Sequence, residues 1–330
     1  MIKALGAAFR RPSPRGIHTV WCPTYVGVAI GGVRSVPRTP GQRFTPFRPD
    51  SRLRKQLMVK ATSIAAALRR LRDRHPLVQN ITNFVSMNTT ANALLALGAS
   101  PLMAHARSEI DDLASVADGL VINIGTLDEA WLESMTMAAK AVRARGKPLV
   151  LDPVGASSTR FRLDAALELI RVGRPAVVRG NASEIMALAG ENTDAVGVDS
   201  FDPVDEARDA ARSLSRAYGC AVVASGPTDI VIFRENEVRI GNGHSLMPLV
   251  TALGCTATAL CGAFAVVTED PMLAAASGMA VLGIAGEMAG PHAKGPGSLQ
   301  VGIIDEIANL KHSDIERRLR LVDTAEPDER

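Results

Sequence analysis

Residues Val250-Thr251-Ala252-Leu253-Gly254-Cys255-Thr256-Ala257-Thr258-Ala259 place a glycine and a thiol where an extended segment gives way to an Ala-rich stretch of helical character. The start of a helix is an anion site. Its first N–H groups lack intrahelical acceptors and the helix dipole puts its positive end there, so a phosphate oxygen is favoured. Gly254 has no side chain to obstruct such an approach, and Cys255, in the same field, is expected to have a lowered pKa and to act as an acid/base group. A buried small residue at a helix start would use the same Gly-Cys pair, so the chemistry needs support from elsewhere in the chain.

That support comes from polar residues at the ends of apolar runs. Asp152 follows Leu149-Val150-Leu151 and precedes Pro153, which directs its carboxylate into a cleft, although a strand-end Asp can also cap a turn. Glu184 stands three residues after Asn181 in Asn181-Ala182-Ser183-Glu184, the spacing of a capping box; as a second carboxylate near Asp152 it could equally help hold Mg²⁺, directly or through water. Arg179, just before Gly180, is placed to clamp a phosphate, and Ser225-Gly226-Pro227-Thr228-Asp229 offers a hydroxyl and a tight turn that serve either a phosphate or an ordinary hairpin entry. No GxxxxGK[ST] loop is present, so a phosphate site has to be assembled from separated strand ends. The six His are scattered, with no carboxylate partner at sequence spacing for His105, His244 or His292, and the four Cys form no CxxC pair, which argues against a zinc site or a disulfide framework and for a reducing, cytoplasmic setting.

The elements that must position these residues are legible as alternation. Apolar runs at Leu77–Thr82, Gly119–Gly125, Pro148–Val154, Ala176–Asn181 and Ala221–Val223 are expected as buried strands. Helices are expected at Ser63–Arg74, Asn88–Leu97, Asp128–Arg145, Asp164–Val172, Pro203–Tyr218, after Cys255, and at Pro271–Ala289. This predicts an α/β fold with a mainly parallel sheet covered by helices on both faces, where ligands bind beyond the carboxyl ends of the strands. Asp229–Phe233 and Val238–Gly241 read as a hairpin, and Leu299–Leu310 as a helix capped by Ser298. The 330-residue chain suits one large or two smaller domains; no linker is apparent after residue 58. Residues 1–57 hold eleven Lys/Arg against the single acid Asp50 and show no sustained periodicity, so they are expected to be a disordered basic extension, with Met58 as the true start or a targeting role as the alternative. The remaining 58–330 is mildly acidic, which excludes an electrostatic footprint for nucleic acid, and no apolar run was expected to reach a membrane span.

Taken together, these residues resemble the hydroxyethylthiazole kinase family, thiamin-salvage enzymes of the ribokinase-like superfamily, over residues 70–310. The resemblance rests on Pro76-Leu77-Val78-Gln79-Asn80-Ile81-Thr82-Asn83, on Asn88 through Ala104, on Asn123-Ile124-Gly125-Thr126-Leu127, Leu151-Asp152-Pro153-Val154-Gly155 and Arg179-Gly180-Asn181-Ala182-Ser183-Glu184, and on Gly295-Pro296-Gly297-Ser298. It implies a three-layer α/β/α sandwich and ATP-dependent phosphorylation of the side-chain hydroxyl of 4-methyl-5-(2-hydroxyethyl)thiazole, with Mg²⁺ near Asp152 and Glu184. It further implies a thiazole contact at Met87, ATP-phosphate contacts at Arg179, Ser225 and the Gly254 backbone, Cys255 in the place of the Asp base of many relatives, and a homotrimer with sites at subunit interfaces. One departure stands out: the family's Gly-x-Gly-Cys reads Ala252-Leu253-Gly254-Cys255, so Ala252 is expected to strain the backbone and narrow the substrate side. Another small-alcohol kinase of the same superfamily, or a nucleotide-binding sensor without catalysis, are the rival readings.

Overall fold

The five apolar runs become the parallel strands β1 (Leu77–Ile81), β3 (Gly119–Asn123), β4 (Leu149–Asp152), β5 (Val177–Asn181) and β6 (Ala221–Ser225), and a short unexpected strand, β2 (Ser100–Leu102), joins them as a sixth. Three antiparallel strands, β7 (Asp229–Phe233), β8 (Asn236–Ile240) and β9 (Leu321–Val322), continue the sheet in the order β2-β1-β3-β4-β5-β6-β7-β8-β9. This computed structural model describes residues 59–190 and 203–322; the expected disorder of residues 1–57 lies outside that range.

Because strand side chains alternate between faces, the sheet feeds two cores. Val121 and Val150 join one core; Leu120, Ile122, Leu149 and Leu151 join the other. Helices α1 (Ala61–Arg74), α2 (Met87–Leu97), α8 (Leu253–Val267), α9 (Pro271–Ala289), α10 (Pro296–Asn309) and α11 (His312–Arg318) cover the first. Helices α3 (Ile110–Val116), α4 (Glu129–Ala144), α5 (Arg160–Gly173), α6 (Ala182–Gly190) and α7 (Pro203–Tyr218) cover the second. The result is the three-layer sandwich that the alternation implied.

The differences from the sequence reading have local causes. Elements such as β2, α3 and α11, of three, seven and seven residues, are too short for periodicity to show. Helix α5 begins at Arg160 rather than Asp164, because Thr159 Oγ1 accepts the Arg162 N–H at 3.3 Å and caps it earlier. Helix α10 begins at Pro296 rather than Leu299, proline being suited to a first helical position. Ser298 is therefore not the cap; as the third helical residue it accepts the N–H groups of Lys294 and Gly295 at 2.8 and 3.2 Å. The segment Pro271–His292 does prove long and apolar enough to cross a membrane, since its glycines and serine leave its hydropathy at 1.5; but 89% of that window is buried in the protein, as a core helix is.

Two features of this frame matter for function. Helix α2 leaves β1 on one face while α4 leaves the neighbouring β3 on the other, and strand order reverses there, which opens a crevice at the strands' carboxyl ends. Helix α8 then runs across the sheet with its N-terminus at that crevice, and its close seat depends on small residues at crossings. A Cβ added at Gly278 of α9 would lie 2.6 Å from the Cys261 nitrogen and 2.5 Å from its sulfur. Gly278→Ala is therefore expected to cost about 1–3 kcal/mol by overpacking, read as a lowered denaturant midpoint. Gly297→Ala, in the first turn of α10 with nothing within 4 Å, should leave the midpoint unchanged or raise it slightly, since alanine favours a helix over glycine.

Candidate active site

The parallel register ends β3 and β4 together, with Asn123 opposite Asp152. From there a buried polar chain runs to the thiol. Asn123 Nδ2 donates to Asp152 Oδ2 at 2.7 Å, Asn83 Nδ2 donates to Asn123 Oδ1 at 2.7 Å, and the same Asn83 Nδ2 reaches Cys255 Sγ at 3.3 Å. Thr258 Oγ1, one turn beyond Cys255 on α8, also donates to Asp152 Oδ2, at 2.8 Å. Asn83 is held in turn by the Ser86 N–H, which donates to its Oδ1 at 2.9 Å, and the Gly125 N–H donates to Asn123 Oδ1 at 2.9 Å. Side chains from the ends of three different segments thus meet at the first turn of α8.

Ala252 caps that turn at φ 68°, ψ 1°, in the left-handed region where a Cβ is disfavoured, so the strain expected at this position is present. The first intrahelical bond there is Thr256 N–H to Ala252 O at 2.9 Å, which leaves the N–H groups of residues 253–255, and not that of Thr256, for an anion. Gly254 makes room for a neighbour of its own: a Cβ on it would come within 2.6 Å of Arg179 Nη1. Arg179 is held beside the helix start by donating through Nη2 to Ser225 Oγ at 2.7 Å, and Ser225 sits opposite Asn181 in the β5–β6 register. The structure therefore gathers Asp152, Arg179, Ser225, Ala252, Gly254 and Cys255 at one end of the sheet.

One expectation needs revision and one alternative is met. The Cys255 thiol is pushed up from its ordinary pKa, not down, because burial and then the neighbouring Asp152 carboxylate outweigh the hydrogen bonds from Asn83, Asn123 and Ser86. Glu184 does form the capping box: its Oε2 accepts the Asn181 N–H at 2.8 Å while Asn181 Oδ1 accepts the Glu184 N–H at 2.9 Å. Its other oxygen accepts the Gly155 N–H at 2.8 Å, so both oxygens are already engaged by backbone donors. Asp152 differs. It is wholly buried, and its Oδ1 has no hydrogen-bond partner among the described residues, the mark of an acceptor that a cation would satisfy. No cluster of three or more His, Cys, Asp or Glu that could hold a metal ion occurs among the described residues. Met87 opens α2 four residues after Asn83, and its side chain packs on the core shared by α3 to α7.

Asn83, Asn123 and Thr258 were missed as site residues. The first two follow apolar strands, and Thr258 lies at i+3 from Cys255 on one helix face, so the signal was polarity where burial was already expected. Volume does not find the site either. A hollow of about 780 Å³ lined by His105, Arg107, Trp131 and Met137 contains none of these residues, and the converging polar groups locate the chemistry better than the cavity does.

Burial also raises the Asp152 carboxyl to about 6, against the lowering effect of Arg179. With an ordinary value of 3.8 in the unfolded chain, the folded protein holds this proton more tightly, so the associated stability is full below pH 4 and is lost as pH rises through 6. Asp152→Asn should therefore make the ligand-free protein more stable at pH 8, by up to about 3 kcal/mol. The gap should close toward pH 4 in denaturant titrations across that range.

The geometry can be set beside known proteins. The family model for the hydroxyethylthiazole kinase family matches residues 68–313. A hydroxyethylthiazole kinase of Syntrophus aciditrophicus is 51% identical over 258 residues, covering 78% of this chain and 96% of the relative. The solved hydroxyethylthiazole kinase of Pyrococcus horikoshii is 43% identical with a TM-score of 0.74, covering 79% of this chain and 98% of that one. A Bacillus subtilis pyridoxal kinase in an ADP complex, 16% identical with a TM-score of 0.50 and covering 64% of this chain and 91% of its own, shares the ribokinase-like fold alone. A match of this length and identity leaves no doubt about kinship: the chain belongs to the hydroxyethylthiazole kinase family.

Proposed function

We propose that this protein transfers the γ-phosphoryl group of ATP to the side-chain hydroxyl of 4-methyl-5-(2-hydroxyethyl)thiazole in thiamin salvage. The observation that carries this reading is the meeting of an unobstructed helix start, an arginine and a buried carboxylate around one thiol, in a chain of this family. The free N–H groups of residues 253–255 and the Arg179 guanidinium are suited to the phosphate oxygens, with Ser225 fixing the arginine. Asp152, through its unpartnered oxygen, is the residue that would hold Mg²⁺, with Glu184 adding negative charge nearby; bound there, the ion would neutralise phosphate charge.

Phosphoryl transfer to an alcohol needs alignment and charge neutralisation more than a strong base, because the hydroxyl proton leaves late. A thiol held neutral by burial fits that demand. Cys255, oriented by Asn83, receives the hydroxyl's hydrogen bond and fixes its oxygen on the line of transfer, while the preorganised donors at the helix start stabilise the equatorial oxygens. Met87 and Ala252 border the thiazole side. Phe84 and Val85, the two residues after Asn83, are 66% and 59% exposed and apolar, which supports a subunit contact at this end; the homotrimer itself rests on the family resemblance. Cys220, Cys255 and Cys261 are free thiols, in keeping with a cytoplasmic enzyme.

A coupled ADP-release assay with the thiazole alcohol tests the assignment; absence of alcohol-dependent turnover would overturn it. Cys255→Ala is expected to lower kcat about tenfold or more while nucleotide affinity holds, since backbone groups bind phosphate, and Cys255→Asp should keep or raise activity because a carboxylate accepts a proton better. An unchanged kcat for the alanine variant would remove the thiol from the reaction. At Ala252, replacement by glycine relieves left-handed strain and a methyl, so KM for the thiazole alcohol should fall by a factor equivalent to about 1–2 kcal/mol at most, with KM for ATP unaffected.

A further inference from the structure

The pairing of β3 with β4 stops at the bond from Ile124 N–H to Asp152 O, at 3.2 Å. Just beyond it, two carbonyls leave the sheet with no strand to receive them, those of Ile124 and Val154. Both are taken by one nitrogen: Arg162 Nη1 donates to Ile124 O at 2.5 Å and to Val154 O at 3.0 Å. The side chain passes beside Gly155, whose φ of 73° suits glycine and whose added Cβ would lie 3.1 Å from Arg162 Cδ. Its root is fixed at the third residue of α5 by the Thr159 cap.

A peptide unit is planar, so each carbonyl that Arg162 grips sets the direction of the N–H across the same plane. The N–H partner of the Ile124 carbonyl is that of Gly125, which donates to Asn123 Oδ1; the partner of the Val154 carbonyl is that of Gly155, which donates to Glu184 Oε1. Each plane is thus held at both ends, by the cation on its negative side and by a side-chain acceptor on its positive side. Rotation of either would withdraw a donor from Asn123 or Glu184, and Asn123 is the link between Asn83 and Asp152.

We propose that Arg162 is a positioning residue for phosphoryl transfer: by clamping the 124–125 and 154–155 peptide planes it holds Asn123, and through it Asp152 and Asn83, in register with the start of α8. The proposal rests on the kinase reading for its kinetic consequence, but its structural content does not. Arg162 touches no reacting atom, so its loss acts on the alignment of the chain rather than on phosphate binding.

The test compares the full-length parent with Arg162→Ala, Arg162→Lys and Arg162→Gln, by steady-state kinetics with ATP and the thiazole alcohol, by thermal unfolding, and by amide hydrogen exchange of the peptides spanning 119–127 and 152–158. Misplacement of a reacting group by an ångström costs up to about a hundredfold, so the alanine variant should lose tenfold or more in kcat with KM for ATP within about threefold of the parent. Lysine, whose ammonium can serve both carbonyls, should recover most of that loss; the fall in kcat with KM for ATP held is what a merely structural role would not predict. Faster exchange in both peptides is expected for alanine and not for lysine. Glutamine, uncharged and two bonds shorter than the guanidinium but keeping two methylenes and a polar end, replaces alanine if that variant does not fold. A kcat within twofold of the parent, or unchanged exchange in both peptides, overturns the proposal. If the parent itself shows no turnover, the kinase reading fails while the exchange measurement still decides the clamp.

Discussion

A carboxylate with no exposed surface has to be answered by its neighbours, and the arrangement around Asp152 follows from that need. One oxygen is satisfied twice, by Asn123 from the adjacent strand and by Thr258 from the helix laid over the sheet, while the other has no partner among the described residues. Those two donors tie β3 and α8 to β4 beside the start of α8. Full satisfaction would have made Asp152 a structural group. Half satisfaction makes it costly when charged and, on the proposed reading, leaves one oxygen for a cation.

Arg179 and Asp229 extend the same logic along the sheet. Asp229 is also raised to about 6 by burial, with Arg179 as the opposing influence, so a single guanidinium tempers two buried carboxyls. It is bonded to Ser225 yet leaves Nε without a partner among the described residues. The two carboxyls and the arginine therefore carry charge that their internal bonds do not fully answer.

Much of this frame was legible in the sequence because buried parallel strands are continuous apolar runs, and β1, β3, β4 and β5 stand out as such. The left-handed Ala252 and the Asn181–Glu184 box were legible for a different reason: both are backbone requirements with short-range signatures. What could not be read was reach across the fold. Asn83 meets Cys255 from 172 positions away, and Thr258 meets Asp152 from 106, distances over which residue type carries no information about partnership. The direction of the Cys255 shift failed for a related reason, since a helix start is visible in a sequence and the depth at which it is buried is not.

The space beside Gly254 has a consequence for how this chain can change. Its missing side chain is filled by the Arg179 guanidinium from another layer of the protein. The two positions are therefore occupied jointly: a methyl at 254 demands a shorter or displaced residue at 179, and a shorter residue at 179 gives up the cation. Neither can drift alone without the other becoming unfit, so single-step mutational paths out of this pair pass through a defective intermediate. Ser225, which anchors the arginine, is drawn into the same dependence, and a glycine that looks like a vacancy in the sequence becomes one of its least negotiable letters.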